Sequence, residues 1–190
     1  MNQSYQAVQT EYKGIVFRSK LEAKTAQILD IFGMPWKYEP QGYKLSNGMW
    51  YKPDFWLLNA HQFVECKGEM DEASIAKIIG LINDTTRSVV VLGYDNAMLC
   101  VGGYDTPTGV ATFFSDDDIC IGQCTKCGGS YFYTEWGSYR CTCCGYHDGD
   151  HTFTPITEVK SATQLFNFVQ ELVASNPLYK EISTKFNKEI

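Results

Sequence analysis

The sequence predicts an α/β domain built on a mixed central sheet, with a small cysteine-rich module attached. Three observations carry this expectation. Over the first hundred residues the apolar periodicity runs helix, three strands, helix, strand, the order of an α/β domain. The run Val89–Leu92 is continuously apolar, as in a strand covered on both faces. Five of the eight cysteines lie between Cys124 and Cys144. A length of 190 residues suits one domain with an appendage.

The first helix is expected after Ser19, with Leu21, Ile28, Leu29 and Phe32 at helical spacing and Gly33 and Pro35 as its stop. A strand at Trp36–Tyr38 follows. Tyr43–Leu45 and Trp50–Tyr51 flank Asn47-Gly48, which reads as a β-hairpin. The chain then extends through Asp54–Leu58, turns around Asn59–Gln62, and forms a strand over Phe63–Lys67. A second helix is expected over Glu72–Ile82, with Ile75, Ile78, Ile79 and Ile82 on one face. Ser88–Tyr94 is the buried strand. Shorter strands are expected at Leu99–Val101, Val110–Phe114 and Ile119–Ile121. A closing helix reads from Val159 to Ser175, stopped by Asn176-Pro177, and residues 1–10 read as a loosely attached terminus.

Charge and cysteine chemistry narrow the function. The net charge is −6, divided as +1 over residues 1–70, −6 over 71–123 and −1 over 124–190. Such a chain is no general coat for nucleic acid, although a local basic face could still bind it. No apolar run approaches the ~18–20 residues that span a bilayer, so no membrane partner is expected. The stretch Met1–Glu11 lacks the pattern of a secretory signal, which makes a cytoplasmic location the expectation. In a reducing compartment clustered cysteines point to a metal rather than to disulfides.

One constellation carries chemistry. The segments Lys52-Pro53-Asp54-Phe55-Trp56 and Phe63-Val64-Glu65-Cys66-Lys67-Gly68 fall on successive strands. Glu65 and Lys67, two apart, share one face, while Cys66 points to the other. If the strands pair as a hairpin, Asp54 meets Glu65. Two adjacent carboxylates repel unless a cation sits between them, and oxygen donors of this kind suit Mg²⁺. A competing reading is purely structural: Ser19 and Glu22 have the spacing of a capping box, Asp54 is a turn residue, and Glu65 and Lys67 form an ion pair on a solvated face.

These residues resemble the PD-(D/E)XK nuclease superfamily, with Pro53-Asp54 as the PD and Glu65-Cys66-Lys67 as the (D/E)XK element. Phe17-Arg18-Ser19-Lys20-Leu21-Glu22-Ala23 is similar to the first core helix of phage and bacterial members, and the strand Trp36-Lys37-Tyr38-Glu39-Pro40 is similar too. The resemblance covers residues 12–95. It implies a restriction-endonuclease-like core over 1–119 and phosphodiester hydrolysis, with DNA the expected substrate. Asp54 and Glu65, with the Cys66 carbonyl, would hold Mg²⁺ or Mn²⁺. Lys67 would position or deprotonate the attacking water, and Glu22 would help hold this metal or a second one. It also implies a role in phage DNA processing, recombination or host attack, in the host cytoplasm if the chain is phage-encoded.

The second constellation is a metal site. Cys124-Thr125-Lys126-Cys127 and Cys141-Thr142-Cys143-Cys144 supply two CxxC pairs, each followed by glycine and separated by thirteen residues. Two such knuckles give tetrahedral sulfur coordination of structural Zn²⁺, as in a zinc ribbon, here an insertion over 120–151 followed by a C-terminal helix over 152–190. Cys124, Cys127, Cys141 and Cys144 are the expected ligands, with Cys143, His147 or His151 as substitutes. Ser130–Thr134 and Gly137–Arg140 read as a hairpin between the knuckles. Lys126, Arg140 and the rings of Tyr131, Tyr133, Trp136 and Tyr139 either grip nucleic acid or cover this hairpin. Cys66, Cys100 and Cys120 read as core thiols, and Asp116-Asp117-Asp118 as a solvated turn. Against the nuclease stand a non-catalytic module that binds nucleic acid and an inhibitor that binds a host protein through the acidic middle segment. A homodimer is compatible with each.

Overall fold

The computed structural model describes residues 8–102, 111–114, 119–135 and 138–175. The run Asp116-Asp117-Asp118, Val110, Trp136, Gly137 and the stop at Asn176-Pro177 lie outside these residues. The architecture is mixed α/β, as the periodicity predicts. A hairpin not foreseen from the sequence opens it: β1 (Thr10–Tyr12) and β2 (Ile15–Phe17) turn at Lys13-Gly14, both with positive φ, and bury Tyr12 and Phe17. Helix α1 (Lys20–Ile31) starts at Ser19, whose hydroxyl accepts the Glu22 N–H, and ends before Gly33 at φ +64°. Strand β3 (Trp36–Tyr38) follows, then β4 (Tyr43–Lys44) and β5 (Trp50–Tyr51), the expected hairpin around Asn47-Gly48. Next come β6 (Phe55–Leu57), β7 (Gln62–Cys66), helix α2 (Glu72–Thr85), β8 (Val89–Leu92), β9 (Ala97–Gly102) and β10 (Ala111–Phe114).

The central sheet has the order β10-β9-β8-β7-β6-β3. Only the pair β7–β8, joined by the crossover helix α2, is parallel. Alternation along the strands divides the core. On one face Phe55, Val64, Val90, Leu92 and Leu99 pack with α1 and the opening hairpin. On the other, Phe63, Val89, Val91 and Cys100 pack with Ile78, Leu81 and Ile82 of α2. Each such buried aliphatic or aromatic side chain stabilises the fold by roughly 1.5–3 kcal/mol.

The cysteine-rich part corrects the expected pairing. A second sheet of order β12-β11-β13 contains β11 (Ile119–Cys124), β12 (Ser130–Thr134) and β13 (Phe153–Glu158). Ser130–Thr134 is a strand whose partner is β11, and residues 138–140, the described part of the expected second arm, form no strand. The first cysteine knuckle is itself the reversing turn, with Gly128 at φ +71°, so the chain needs no later return to close a hairpin. Strand β13 was not foreseen; it is an edge strand, which is where Pro155 is tolerated. The sheet therefore spans residues on both sides of 120 and of 151.

Helix α3 (Ala162–Ser175) is shorter than the expected Val159–Ser175, because Ser161 starts it by accepting the Gln164 N–H at 3.0 Å. It packs on α1, with Phe32 and Phe168 stacked 6.3 Å apart. No helix among the described residues is long and apolar enough to cross a membrane.

Candidate functional site

Strands β6 and β7 run antiparallel with Phe55 opposite Val64, a register that brings Asp54 opposite Glu65. Both carboxylates are buried, at 3% and 2% exposure, and each of their four oxygens has a donor. Arg18 Nη2 donates to Asp54 Oδ1 at 2.8 Å, and the Cys66 N–H donates to Oδ2 at 2.8 Å. Lys67 Nζ lies 2.9 Å from Glu65 Oε1, and the Asp54 N–H donates to Oε2 at 3.3 Å. The two acids are thus locked side by side, with one cation on each. As the alternation requires, Lys67 follows Glu65, while the Cys66 thiol turns away to Thr25 Oγ1 on α1 at 3.3 Å.

Glu22 stands at the first turn of α1. Ser19 Oγ donates to its Oε1 at 2.9 Å, and the Arg18 N–H to its Oε2 at 3.2 Å. The Tyr38 hydroxyl also donates to Oε2. Glu22 therefore caps the helix, and Arg18 lies between it and Asp54: the same guanidinium also reaches Glu39, Nε to Oε1, at 3.0 Å. Glu22, Asp54 and Glu65 do not draw together as one ligand group among the described residues. Arg18 and Tyr38 are the members that sequence reasoning did not assign. Arg18 stands in the quoted helix-start segment, but no spacing rule says that an arginine before a cap will reach a strand 36 residues on.

Burial, and then the neighbouring charge of Glu65, push the Asp54 carboxyl up to about 7 from an ordinary 3.8. Burial lowers Lys67, but Glu65 and Asp54 outweigh it and leave the ammonium raised. The sign for stability follows directly. Between 3.8 and about 7 the folded chain holds a proton on Asp54 that the unfolded chain has released, so this group's contribution to stability falls as pH rises through that window. In metal-free buffer the unfolding midpoint is expected to drop across this window, and Asp54→Asn to flatten the slope. Thermal melts showing the same slope for both proteins would refute the raised Asp54 carboxyl.

The four predicted cysteines converge. The Sγ atoms of Cys124, Cys127, Cys141 and Cys144 all lie within 4.8 Å of one another. Two of the separations are 3.8 Å (Cys124–Cys144) and 3.6 Å (Cys127–Cys141). Four sulfurs at ~2.3 Å from a tetrahedral metal stand about 3.8 Å apart, so the set fits a metal such as zinc. The knuckles match each other. The Gly128 N–H donates to the Cys124 carbonyl and the Gly145 N–H to the Cys141 carbonyl, each at 2.8 Å, and both glycines have φ above +70°. Cys143 and His147 are outside the cluster; His147 Nε2 instead lies 2.9 Å from Ser138 Oγ. No family model, curated protein or solved structure matches this chain.

Buried Tyr131 supports the cluster from behind. Its hydroxyl accepts the Cys143 N–H at 3.1 Å, which leaves its own proton for Cys141 Sγ at 3.0 Å. Burial opposes the Cys141 thiolate, yet this bond and the amides of Cys143 and Cys144 bring it down to about 6. Outer partners of this kind are worth about 10–100-fold in metal affinity. Tyr131→Phe is therefore expected to release metal to a colorimetric chelator at least about tenfold more readily than the wild type; equal release would show the bond to be idle.

Of the aromatic residues of this module, Tyr131 and Tyr133 are buried, and Tyr139 packs on Tyr133 and Phe153. These rings cover the small sheet, and Tyr131 and Tyr139 also stand in the wall of a cavity. Cys100 and Cys120 are buried, as core thiols should be. A cavity of about 680 Å³ lies between this module and the start of β7 and β8, with Arg87, Arg140, His61 and His147 in its wall. It is at the opposite end of β7 from Glu65.

Proposed function

We propose that the chain is a metal-dependent nuclease with a restriction-endonuclease-like core of the PD-(D/E)XK type, acting on phosphodiester bonds with DNA the expected substrate. The four-cysteine centre holds structural zinc. The observation that carries the reading is the pair Asp54–Glu65, buried side by side on adjacent strands, with Lys67 on Glu65. A core rarely accepts two adjacent carboxylates without a use for their charge.

The donor set is carboxylate oxygen, which fits Mg²⁺ or Mn²⁺ at Asp54 and Glu65. Such an ion would polarise the phosphate and activate water. The chain's own residues do the rest. The amides of Cys66 and Asp54 each hold one oxygen of a carboxylate in place, and the oxygens now facing Arg18 and Lys67 are the ones a metal would share. Lys67 remains an ammonium at neutral pH, so its part is to orient the attacking water and oppose charge on the phosphoryl oxygens rather than to take a proton. Hydrolysis delivers the hydroxyl of water to phosphorus and a proton to the departing oxygen. Glu22 serves by capping α1 and by setting Arg18 against Asp54.

The test is cleavage of DNA and RNA substrates with Mg²⁺ or Mn²⁺, wild type against Glu65→Gln. Metal-dependent cutting that is lost in the variant supports the enzyme. Cutting that persists in the variant, or a folded wild type that cuts nothing, sinks it. One observation favours a second reading: Arg18 and Lys67 already neutralise the two acids. This is compatible with a nuclease fold kept for binding nucleic acid or a host protein.

A further inference from the structure

The hairpin β4–β5 presents two different faces. Tyr43 and Tyr51 pair across it, and both pack into the α2 side of the core. Lys44 and Trp50 pair across it on the other face, where both are exposed. Trp50 is 68% exposed, the most open of the large apolar side chains of the described residues. The other described tryptophans are engaged. Trp36 Nε1 donates to Asp30 Oδ1 at 3.0 Å, and Trp56 stacks on His61 and packs on Phe63. An exposed indole leaves apolar surface in water, and Gly42, which has no side chain, lies beside the ring.

The position of this ring relative to the acids gives it meaning. Tyr51, the next residue, is 7% exposed, and its hydroxyl has no hydrogen-bond partner. Burial first, and then the charge of Glu65, hold its proton on. Trp50 thus points outward from the same two-residue strand whose other side chain is buried beside Glu65. Four residues of extended chain, at most about 13–14 Å, separate Trp50 from Asp54. Lys44 lies opposite the ring, and Lys52, two residues on, is 48% exposed at its side chain and paired with Glu39.

We infer that Trp50, flanked by Lys44 and Lys52, is a stacking platform for an unpaired nucleobase, so that the acid pair acts on a nucleic acid with a single-stranded segment or end beside the scissile phosphate. This rests on the nuclease reading of Asp54 and Glu65. The chemistry selects the occupant. A base shows its π-face to an indole only when it is not already stacked in a duplex, and such stacking tolerates any base. The lysines meet the phosphates on either side. In a chain of net charge −6, affinity for a polyanion must come from such a local set rather than from the overall field.

The experiment is binding of fluorescent oligothymidylate and oligouridylate, each of about twelve residues, to the full chain in chelator, so that nothing is cut. Duplex of the same length is the competitor. The wild type is expected to prefer the single strands. Trp50→Ala should weaken binding about tenfold or more and Trp50→Phe much less, while Lys44→Ala should lower the salt slope by about one. The two oligomers separate DNA from RNA. Equal affinity of Trp50→Ala and wild type, equal affinity for duplex, or failure to bind either oligomer overturns the inference. Glu65→Gln keeps the two readings apart. If it abolishes cutting while Trp50→Ala changes neither binding nor cutting, the platform is wrong and the nuclease stands. If the wild type cuts nothing but loses single-strand binding with Trp50→Ala, the nuclease is wrong and the surface stands as a binding site. If Trp50 is instead a protein contact, both oligomers are ignored.

Discussion

Stripping metal from the four-cysteine centre is expected to lower the unfolding midpoint by about 10–20 °C. Structural Zn²⁺ contributes ~10–16 kcal/mol in isolated fingers. Even about 5 kcal/mol would shift the midpoint this far in a chain of this size, at roughly 2–4 °C per kcal/mol. The effect should be global. Ile121 and Phe132 of the small sheet belong to the same apolar cluster as Val64 and Leu165, and Ser130 Oγ donates to the Phe32 carbonyl at 2.7 Å. Calorimetry with and without chelator at neutral pH is the check, with Cys124→Ser and Cys141→Ser in place of chelation as the second arm. Metal content by emission spectrometry should read one zinc per chain. A midpoint indifferent to chelator, in protein that carried zinc, would show that the small sheet stands without it.

The second large effect separates catalysis from stability. Asp54→Asn and Glu65→Gln are each expected to reduce cleavage by at least about a thousandfold, since each removes charge from a preorganised centre. Both should leave the fold intact, and Asp54→Asn should stabilise it above neutral pH. There Asp54 is ionised beside Glu65, and the amide keeps nearly the same shape without the repulsion. A merely structural ion network predicts the opposite sign: loss of the Arg18 and Lys67 pairings would destabilise the chain. Paired measurements of rate and unfolding midpoint distinguish the two. A variant that is less stable and equally active would turn the pair into a core salt bridge.

Much of this was legible because the deciding signals are local. The Ser19 cap, the Asn47-Gly48 turn, the Val89–Leu92 run and the CxxC-Gly knuckles each specify geometry within a few residues. The strand pairing that brings Asp54 opposite Glu65 follows from a short connection, and so does the shared face of Glu65 and Lys67. What was not legible is long-range or weakly patterned. Thr10–Phe17 and Phe153–Glu158 are short or edge strands, with little alternation to betray them. The role of Arg18 depends on where β6 lies in space. The partner of Ser130–Thr134 is hidden because the same knuckle that offers a metal motif also reverses the chain.

The side chain of Gln62 has a consequence of another kind. Its Nε2 donates to the Phe132 carbonyl at 2.8 Å, and its Oε1 accepts the Phe132 N–H at 3.2 Å, so it completes the edge of β12 as a neighbouring strand would. Gln62 begins β7, and Glu65 lies three residues further along the same strand. The cysteine module is therefore not a passenger that can be removed or transplanted. A chain ended before residue 119 would leave the Oε1 of this amide unanswered and its Nε2 with Ser88 Oγ alone, at one end of the strand that carries the acid at the other. Any lineage that shed the module would have had to rebuild that end of the sheet at the same time.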